Sequence, residues 1–201
     1  LIQTLLPRVN ATEFLGDREK APAQKKDVWL EVGFGGGEHL AAQAAAHPET
    51  DFIGCEPFMN GVGKILALIE ARSLGNIRVH ADDAAALIAR LPNASVDRLY
   101  ILFPDPWPKR RQRKRRFIDD TTLPELARIL KSNAEFRFAT DIDDYAGWVL
   151  ARVLSARDLE WRLDPDRRWL DPWPDHNTTR YEQKARNAGR APMFFTFVKK
   201  G

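Results

Sequence analysis

The chain has 201 residues, of which 44% are hydrophobic and 29% are charged, and its formal net charge is +3. This length and apolar content predict one folded domain, and no apolar run is long enough to form a transmembrane helix. The N-terminus lacks the basic-then-apolar layout of a signal peptide, and the single cysteine, Cys55, cannot form an internal disulfide. We therefore expect a cytoplasmic protein.

Apolar periodicity predicts strands that alternate with helices along most of the chain. In chain order we predict strand Val28–Val32, helix Glu38–Ala46, strand Asp51–Cys55, helix Asn60–Leu74, strand Ile77–His80, helix Ala84–Leu91, strand Val96–Phe103, helix Asp119–Leu130, strand Glu135–Thr140, helix Asp144–Leu154 and strand Met193–Lys199. Asn60 is predicted to cap the second helix and Gly75 to end it. This alternation predicts a doubly wound α/β sheet with right-handed crossovers.

A long polar segment with weak periodicity occupies residues 163–192. It contains four prolines, several aspartates, Trp169 and Trp173. Loops of this length in a compact domain are typically functional or disordered, so we expect it to take part in substrate binding.

The first predicted strand ends in the glycine-rich stretch LEVGFGGGEHL, which predicts a ligand-binding turn before a helix. Gly33 and Gly35 are expected to let a ligand approach the backbone closely. Glu38 stands where a dinucleotide-binding fingerprint has its third glycine, and an acid there opposes a pyrophosphate. Glu31, just before the turn, suits a positively charged ligand. S-adenosylmethionine carries a sulfonium and an ammonium group and no phosphate, so it fits better than NAD.

Acidic residues also follow the next three predicted strands. Glu56 ends the second strand, where an acid commonly accepts hydrogen bonds from ribose hydroxyls. Asp82 or Asp83 follows the third strand, and we favour Asp83 as the acceptor for the adenine amino group. Asp105 follows the fourth strand in FPDPWPKRR, where three prolines predict a rigid turn. Because the carboxyl ends of parallel strands meet at one sheet edge, these acids predict one cofactor site.

A basic run follows the proline turn, since residues 109–116 contain seven Lys or Arg in eight positions and the rest of the chain is net negative. Such a local patch predicts a polyanionic partner. The four histidines have no spacing that suggests a metal site or a catalytic base, so each is expected to be a surface or helix-packing residue.

Several stretches together resemble the bacterial tRNA (guanine-N7-)-methyltransferases: LEVGFGGGEHL, GCEPF, FPDPWPK…KRR, FATDIDDY and TRYEQKARNAG…FF. The resemblance covers nearly the whole chain, and the FPDPW and TRYE stretches are its specific parts. It implies a Rossmann-like, seven-stranded, mostly parallel sheet with an antiparallel C-terminal strand. It also implies a single methyltransferase domain over residues 1–201, with a substrate-binding loop at about 163–192. Pro108 departs from the pattern, because some relatives have histidine there.

The resemblance implies transfer of the methyl group of S-adenosylmethionine to N7 of the variable-loop guanine (position 46) of tRNA, with S-adenosylhomocysteine as the other product. It places cofactor contacts at Glu31, Glu56, Asp83 and Asp105. It places tRNA or guanine contacts at Lys109, Asp141, Thr179, Arg180, Tyr181 and Glu182. The RNA backbone contacts fall at Arg111, Arg113, Lys114, Arg115 and Arg116. A monomer or homodimer without an obligate protein partner, a membrane or a metal is expected.

The chemistry of guanine explains this choice of residues. N7 has an in-plane lone pair and no proton, so it can attack the sulfonium methyl in line without a general base or a covalent intermediate. The protein has mainly to orient the two reactants. Asp105 and Asp141 are candidates to hold the base, although Asp105 could instead contact the cofactor, or both. Thr179 can cap a helix together with Glu182, which could instead accept from guanine or order its loop.

Other functions fit the residues less well. A methyltransferase for an exocyclic amine of a nucleic acid would carry a D/N-P-P-Y loop, which Asp105-Pro-Trp107 matches only loosely. An RNA-binding protein without catalysis would not need the set of acids at the strand ends. Glu38 disfavours an NAD enzyme.

Overall fold

A seven-stranded β-sheet forms the centre of the structure, a computed structural model that describes residues 1–12 and 26–201. The strands are β1 (Val28–Val32), β2 (Asp51–Cys55), β3 (Ile77–His80), β4 (Val96–Leu102), β5 (Leu130–Thr140), β6 (Leu159–Arg162) and β7 (Met193–Lys199). The α-helices are α1 (Ile2–Leu5), α2 (Glu38–Ala46), α3 (Met59–Arg72), α4 (Ala84–Ile88), α5 (Thr122–Ile129), α6 (Asp143–Ser155) and α7 (Arg180–Asn187). Among the residues that the structure describes, 3₁₀ helices span Pro7–Val9 and Arg110–Arg115.

The strand order is β3-β2-β1-β4-β5-β7-β6, so the chain winds outward from β1 in both directions. Strands β1 to β5 pair in parallel, whereas β7 is antiparallel to both of its neighbours, β5 and β6. This confirms the predicted fold class, including the antiparallel C-terminal strand. The switch in strand order lies between β1 and β4, where open α/β sheets form their ligand crevice outside the carboxyl ends of the strands.

The two faces of the sheet bury separate apolar clusters. Leu30, Ile101 and Phe138 point to one face, where they pack with residues of α4, α5 and α6. Trp29 and Tyr100 point to the other face, where α2 and α3 pack. Alternation of side chains along each strand produces this division, and burial on both faces explains why the central strands are almost continuously apolar.

The bounds of α3 differ from the prediction at both ends. Phe58 occupies the N-cap position, and its backbone N–H donates to the Glu56 carboxylate at 3.0 Å. At the other end Ser73 adopts the left-handed conformation with φ 53°, and the amide of Leu74 donates back to the carbonyl of Ile69 at 3.0 Å. These are the bonds of a Schellman motif, so the predicted caps at Asn60 and Gly75 were wrong.

The polar segment that follows β6 covers the α2 side of the sheet next to β7. Trp173 is buried there, packs edge-on against Phe194 at 5.3 Å, and donates from Nε1 to Thr196 Oγ1 at 2.8 Å. Asp175 accepts from the buried Arg137 at 2.6 Å, and its carbonyl accepts from Gln43 at 2.6 Å. The first half of the predicted loop therefore covers this face of the sheet, as a helix does elsewhere in the fold.

Replacement of Trp173 with alanine will lower the free energy of unfolding by about 3–5 kcal/mol, because it removes a buried indole and one hydrogen bond. Urea denaturation of both proteins measures the change. Trp169 in the same segment is 48% exposed, so Trp169→Ala is the matched control and will cost about 1 kcal/mol or less. Equal losses in the two variants would contradict the covering role of Trp173.

Candidate active site at the carboxyl edge of the sheet

The glycine turn after β1 has a backbone that only glycine adopts readily. Gly33, Gly35 and Gly37 have φ values of 74°, 58° and 79°. A Cβ on Gly37 would lie 2.6 Å from the Ile65 side chain of α3, whereas the space beside Gly33 is open. The turn is therefore pressed against α3 on one side and can admit a ligand on the other.

Glu56 ties the glycine turn to the end of β2. Its carboxylate is buried, and its two oxygens accept from the amides of Gly35 at 2.9 Å and Phe58 at 3.0 Å. A Cβ on Gly61 of α3 would lie 2.2 Å from the carbonyl oxygen of Gly35, so the helix and the turn are in direct contact. Each carboxylate oxygen can accept more than one hydrogen bond, so Glu56 keeps acceptor capacity for a ligand.

Glu31 lies on β1 below the glycine turn and already has a protein partner. Its Oε2 atom is 2.7 Å from Nδ1 of His39 in the first turn of α2, and both side chains are buried. The sequence predicted Glu31 as a carboxylate for a cationic ligand, and His39 was expected only as a surface or packing residue. The pairing fixes the orientation of the Glu31 carboxylate, while its contact with a cofactor stays a prediction.

Asp82 and Asp83 both lie at the end of β3 and both are exposed. Asp83 caps α4, since its side chain accepts from the amide of Ala85 at 3.0 Å. Asp82 accepts from the amide of Asp83 at 2.8 Å. Either carboxylate keeps free acceptor sites at this edge, so the choice between them stays as open as in the sequence.

Asp105 lies on a strained loop after β4. Phe103 and Trp107, on either side of it, have positive φ values of 50° and 41°, a conformation that is costly for bulky residues. The Asp105 side chain is exposed and has no hydrogen bond or ion pair with any residue in the ranges 1–12 and 26–201. A rigid loop thus presents an unpaired carboxylate at the sheet edge.

Arg116 anchors this loop from inside the protein. Its fully buried guanidinium donates to the Pro106 carbonyl at 2.8 Å and to the Asp144 carboxylate, and it packs over the rings of Tyr145 and Trp148 at 4.9 and 5.0 Å. The hydrogen bond from Arg116 lowers the pKa of Asp144 below its ordinary value. Burial removes the charge of Arg116 from the surface, which disfavours the predicted contact of this residue with the RNA backbone.

The other cations of the basic run lie on the outside of the 3₁₀ helix Arg110–Arg115. Arg113 is partly exposed and pairs with Asp144 at 2.6 Å. The side chain of Arg115 lies over the Trp107 ring at 4.8 Å. The exposed members of the run are Lys109, Arg110, Arg111, Lys114 and Arg115. They form a positive surface directly beside Asp105.

The TRYE stretch opens α7, as the sequence predicted. Thr179 is the N-cap and accepts from the amide of Glu182 at 3.1 Å. Glu182 is buried, and it binds His176 at 2.6 Å and Arg186 at 2.8 Å. Burial by itself raises the pKa of Glu182. The hydrogen bonds from His176 and Arg186 outweigh this effect, so the pKa of Glu182 lies below its ordinary value. Of the two roles left open by the sequence, the contacts of Glu182 favour ordering the loop.

Tyr181 and Arg180 lie over the glycine turn. A Cβ on Gly35 would lie 3.0 Å from the Tyr181 ring, which is 43% exposed. Arg180 packs over this ring at 4.9 Å and donates to its hydroxyl at 3.1 Å. The far end of the segment is tied down by Arg190, which pairs with Asp141 after β5 at 2.5 Å. The structure therefore brings the predicted cofactor and substrate residues to one edge of the sheet.

Metal-ligating side chains and the Cys55 thiol are two further kinds of reactive group. Within residues 1–12 and 26–201, no three His, Cys, Asp or Glu side chains are placed to hold a metal ion together. Burial raises the pKa of the Cys55 thiol, which makes it a poor nucleophile. In the same part of the chain no helix is both long and apolar enough to cross a membrane.

Solved structures of other proteins share this fold. A 16S rRNA (adenine(1408)-N(1))-methyltransferase from Catenulisporales acidiphilia, solved with its cosubstrate SAM, is 18% identical with a TM-score of 0.61 over 92% of this chain and 91% of that chain. An rRNA methylase from Streptococcus thermophilus is 14% identical with a TM-score of 0.56 over 88% of each chain. The fold is that of the Rossmann-like S-adenosylmethionine-dependent methyltransferases.

Sequence relatives define the family within this class. A family model described as "Putative methyltransferase" matches residues 25–195. Proteins named tRNA (guanine-N(7)-)-methyltransferase are 49% identical in Rhodopseudomonas palustris and 46% identical in Bradyrhizobium diazoefficiens, each over 98% of this chain and over 80% and 85% of their own lengths. The chain belongs to the tRNA (guanine-N7-)-methyltransferase family.

Arg116 can be distinguished from the rest of the basic run by its effect on stability. Arg116→Met will lower the free energy of unfolding by about 2–3 kcal/mol, because it removes buried hydrogen bonds to a charged group. Lys114→Met, at an exposed position two residues away, will change it by less than about 0.5 kcal/mol. Urea denaturation compares the two variants, and similar values for both would show that Arg116 is not an anchor.

Proposed function

We propose that this protein methylates N7 of a variable-loop guanine in tRNA (position 46 in the family), with S-adenosylmethionine as the methyl donor. The observation that carries the proposal is the match to proteins named for this reaction, at 45–49% identity over 98% of the chain. The match includes the acids at the carboxyl edge, the basic run and the α7 segment, so every part of the proposed site lies within it.

The carboxyl edge fits S-adenosylmethionine. The glycine turn leaves an open face beside Gly33, and the buried carboxylate of Glu56 keeps acceptor sites for ribose hydroxyls. Glu31, held by His39, and Asp83 at the end of β3 complete the proposed set of acids. The bound cofactor supplies a methyl group activated by a sulfonium centre.

Orientation is the main contribution of the chain to the reaction. Positioning two reactants is worth roughly 7–11 kcal/mol of barrier, and a strained, proline-rich loop loses little entropy when it holds them. Asp105 is unpaired at this loop and can accept from the N1–H and amino group of guanine, from the cofactor, or from both. A carboxylate here also stabilises the positive charge that develops on the methylated ring.

Guanine itself is proposed to lie between the Asp105 loop and α7. The Tyr181 ring is half exposed above Gly35 and offers a surface on which a base can stack. Lys109, Arg180 and Asp141 are proposed to contact the same guanine or its nucleotide, and Thr179 caps the helix that carries Tyr181. Asp141 reaches the substrate only if its ion pair with Arg190 rearranges.

The exposed cations beside Asp105 are proposed to bind phosphates of the tRNA. Phosphate neutralisation supplies affinity without reading sequence, which suits recognition of tRNA by its shape. We further propose that the chain forms one domain and acts in the cytoplasm, as a monomer or a homodimer without an obligate protein partner.

Incubation of the protein with labelled S-adenosylmethionine and bulk tRNA, followed by nucleoside analysis, will yield 7-methylguanosine.

Asp105→Ala will lower kcat/KM by 100-fold or more without unfolding the protein, since its side chain has no described partner to lose. Asp158→Ala is the matched control, because this exposed acid precedes β6 at the opposite sheet edge. A methylated adenosine or cytidine as product, or near-normal turnover of Asp105→Ala, would overturn the respective assignment.

The basic run predicts a specific dependence of tRNA affinity on salt. Replacing Arg111, Lys114 and Arg115 together with glutamine will weaken tRNA binding. The plot of log K against log salt will also become less steep, by about 2 in slope, because each phosphate contact contributes roughly 0.7–0.9. The control variant replaces Arg90, Arg157 and Lys200, which are exposed elsewhere and remove the same charge. Equal slopes for the two triple variants would show that only net charge matters.

A further inference from the structure

Four buried acid and histidine side chains form a line between the cofactor strand and α7. Glu31 on β1 lies 2.7 Å from His39 on α2, and the ring of His39 lies 5.8 Å from the ring of His176, between their centroids. His176 precedes α7, and its Nε2 lies 2.6 Å from Glu182 on that helix. The line thus joins two elements that are far apart in sequence.

The hydrogen-bond roles along the line follow from the two acids. A carboxylate can only accept, so the imidazole nitrogen that faces it must carry the hydrogen. This places a hydrogen on Nε2 of His176, which donates to Glu182. Nδ1 is buried and has no hydrogen-bond partner among the described residues. An unpaired buried polar atom lowers the free energy of unfolding, and an apolar ring at this position would avoid that loss. Stability alone therefore does not explain a histidine here.

The surroundings of His176 hold it firmly in place. Its side chain is 2% exposed, and its ring packs against Trp173 at 5.8 Å and Phe194 at 5.2 Å. Phe194 lies on β7, so His176 is fixed to the sheet through aromatic packing. Its hydrogen bond to Glu182 then fixes the first turn of α7 relative to the same sheet.

The position of α7 decides where Tyr181 lies. Tyr181 directly precedes Glu182, and its ring contacts Gly35 in the glycine turn. Arg186, one turn further along the helix, binds the other carboxylate oxygen of Glu182, so both oxygens are used within the protein. Without the bond from His176, Glu182 would be a buried carboxylate held only from its own helix.

We propose that His176 is a positioning residue that docks α7 on the sheet through Glu182, so that Tyr181 and Arg180 are held over Gly35 for tRNA binding. Glu182 then serves as the anchor of the substrate segment and does not contact guanine. The proposal rests on the proposed function, because it assigns α7 to the tRNA substrate. It also predicts that the N–H donor at Nε2, and not the shape of the ring, is what the position requires.

Two variants of His176 separate these requirements. His176→Phe keeps a buried ring without a donor, whereas His176→Gln places an amide N–H near the former Nε2. His176→Phe will raise KM for tRNA about tenfold, as expected for the loss of one charge-assisted hydrogen bond, with KM for S-adenosylmethionine changed less than about threefold. His176→Gln will restore KM for tRNA to within about threefold of the unmodified protein. Gln183→Ala removes an exposed side-chain bond to Asn187 on the same helix and is the matched control.

Hydrogen exchange gives a second readout that does not depend on activity. The amides of α7 will exchange faster in His176→Phe than in the unmodified protein or in His176→Gln, because the helix is no longer docked. If the unmodified protein makes no 7-methylguanosine, the proposed function fails, and exchange still decides the docking. Unchanged exchange in His176→Phe overturns the docking. If the protein is active, two results would overturn the role of the Nε2 donor. One is an unchanged KM for tRNA in His176→Phe. The other is a His176→Gln variant whose KM for tRNA is raised as much as that of His176→Phe.

Discussion

The hydrogen bond from the Gly35 amide to the Glu56 carboxylate holds the carboxyl edge of the sheet together. Its two residues follow neighbouring parallel strands, so the bond fixes the turn after β1 against the end of β2. A Cβ on Gly61 of α3 would lie 2.2 Å from the carbonyl oxygen of Gly35, and a Cβ on Gly35 would lie 3.0 Å from the Tyr181 ring. The glycine turn, α3 and α7 therefore meet at Gly35, a residue that has no side chain to separate them.

The basic run, residues 109–116, contains both surface cations and one buried cation. Six of its seven cations stay at or near the surface, while Arg116 turns inward and binds the backbone of the loop that carries Asp105. The same guanidinium pairs with Asp144, which also pairs with Arg113. The exposed basic surface and the Asp105 loop are thus connected through one carboxylate, that of Asp144.

Much of the fold follows from local sequence. The bounds of β1, α2, β2, β3 and β7 were predicted to the residue, because each is an apolar run bounded by glycine, proline or polar residues. The four-residue strand β6 (LEWR) was missed, since it lies at the edge of the sheet and alternates too briefly to show a period. The ends of α3 were wrong because Glu56 and a left-handed Ser73 determine them, and neither contact follows from propensity.

The sequence predicted that the candidate residues share one edge of the sheet, but it did not predict the contacts that they make inside the protein. The acids at the strand ends could be placed because parallel strands end at one edge. The inward turn of Arg116 could not be predicted, since a run of seven cations in eight positions gives no signal that one of them is buried. His39 and His176 pair with acids eight and six residues away, but their approach to each other depends on how residues 163–178 cross the sheet. Only the tertiary structure brings them together.

The left-handed backbone at Phe103 and Trp107 has a further consequence for how this chain can evolve. Glycine at either position would relieve the strain and stabilise the backbone, yet it would also free the loop that aims Asp105. At Trp107 it would remove the ring under Arg115 as well. Thermal stability and the proposed positioning of Asp105 thus make opposite demands on these two residues, so a search for stabilised variants should leave both positions fixed.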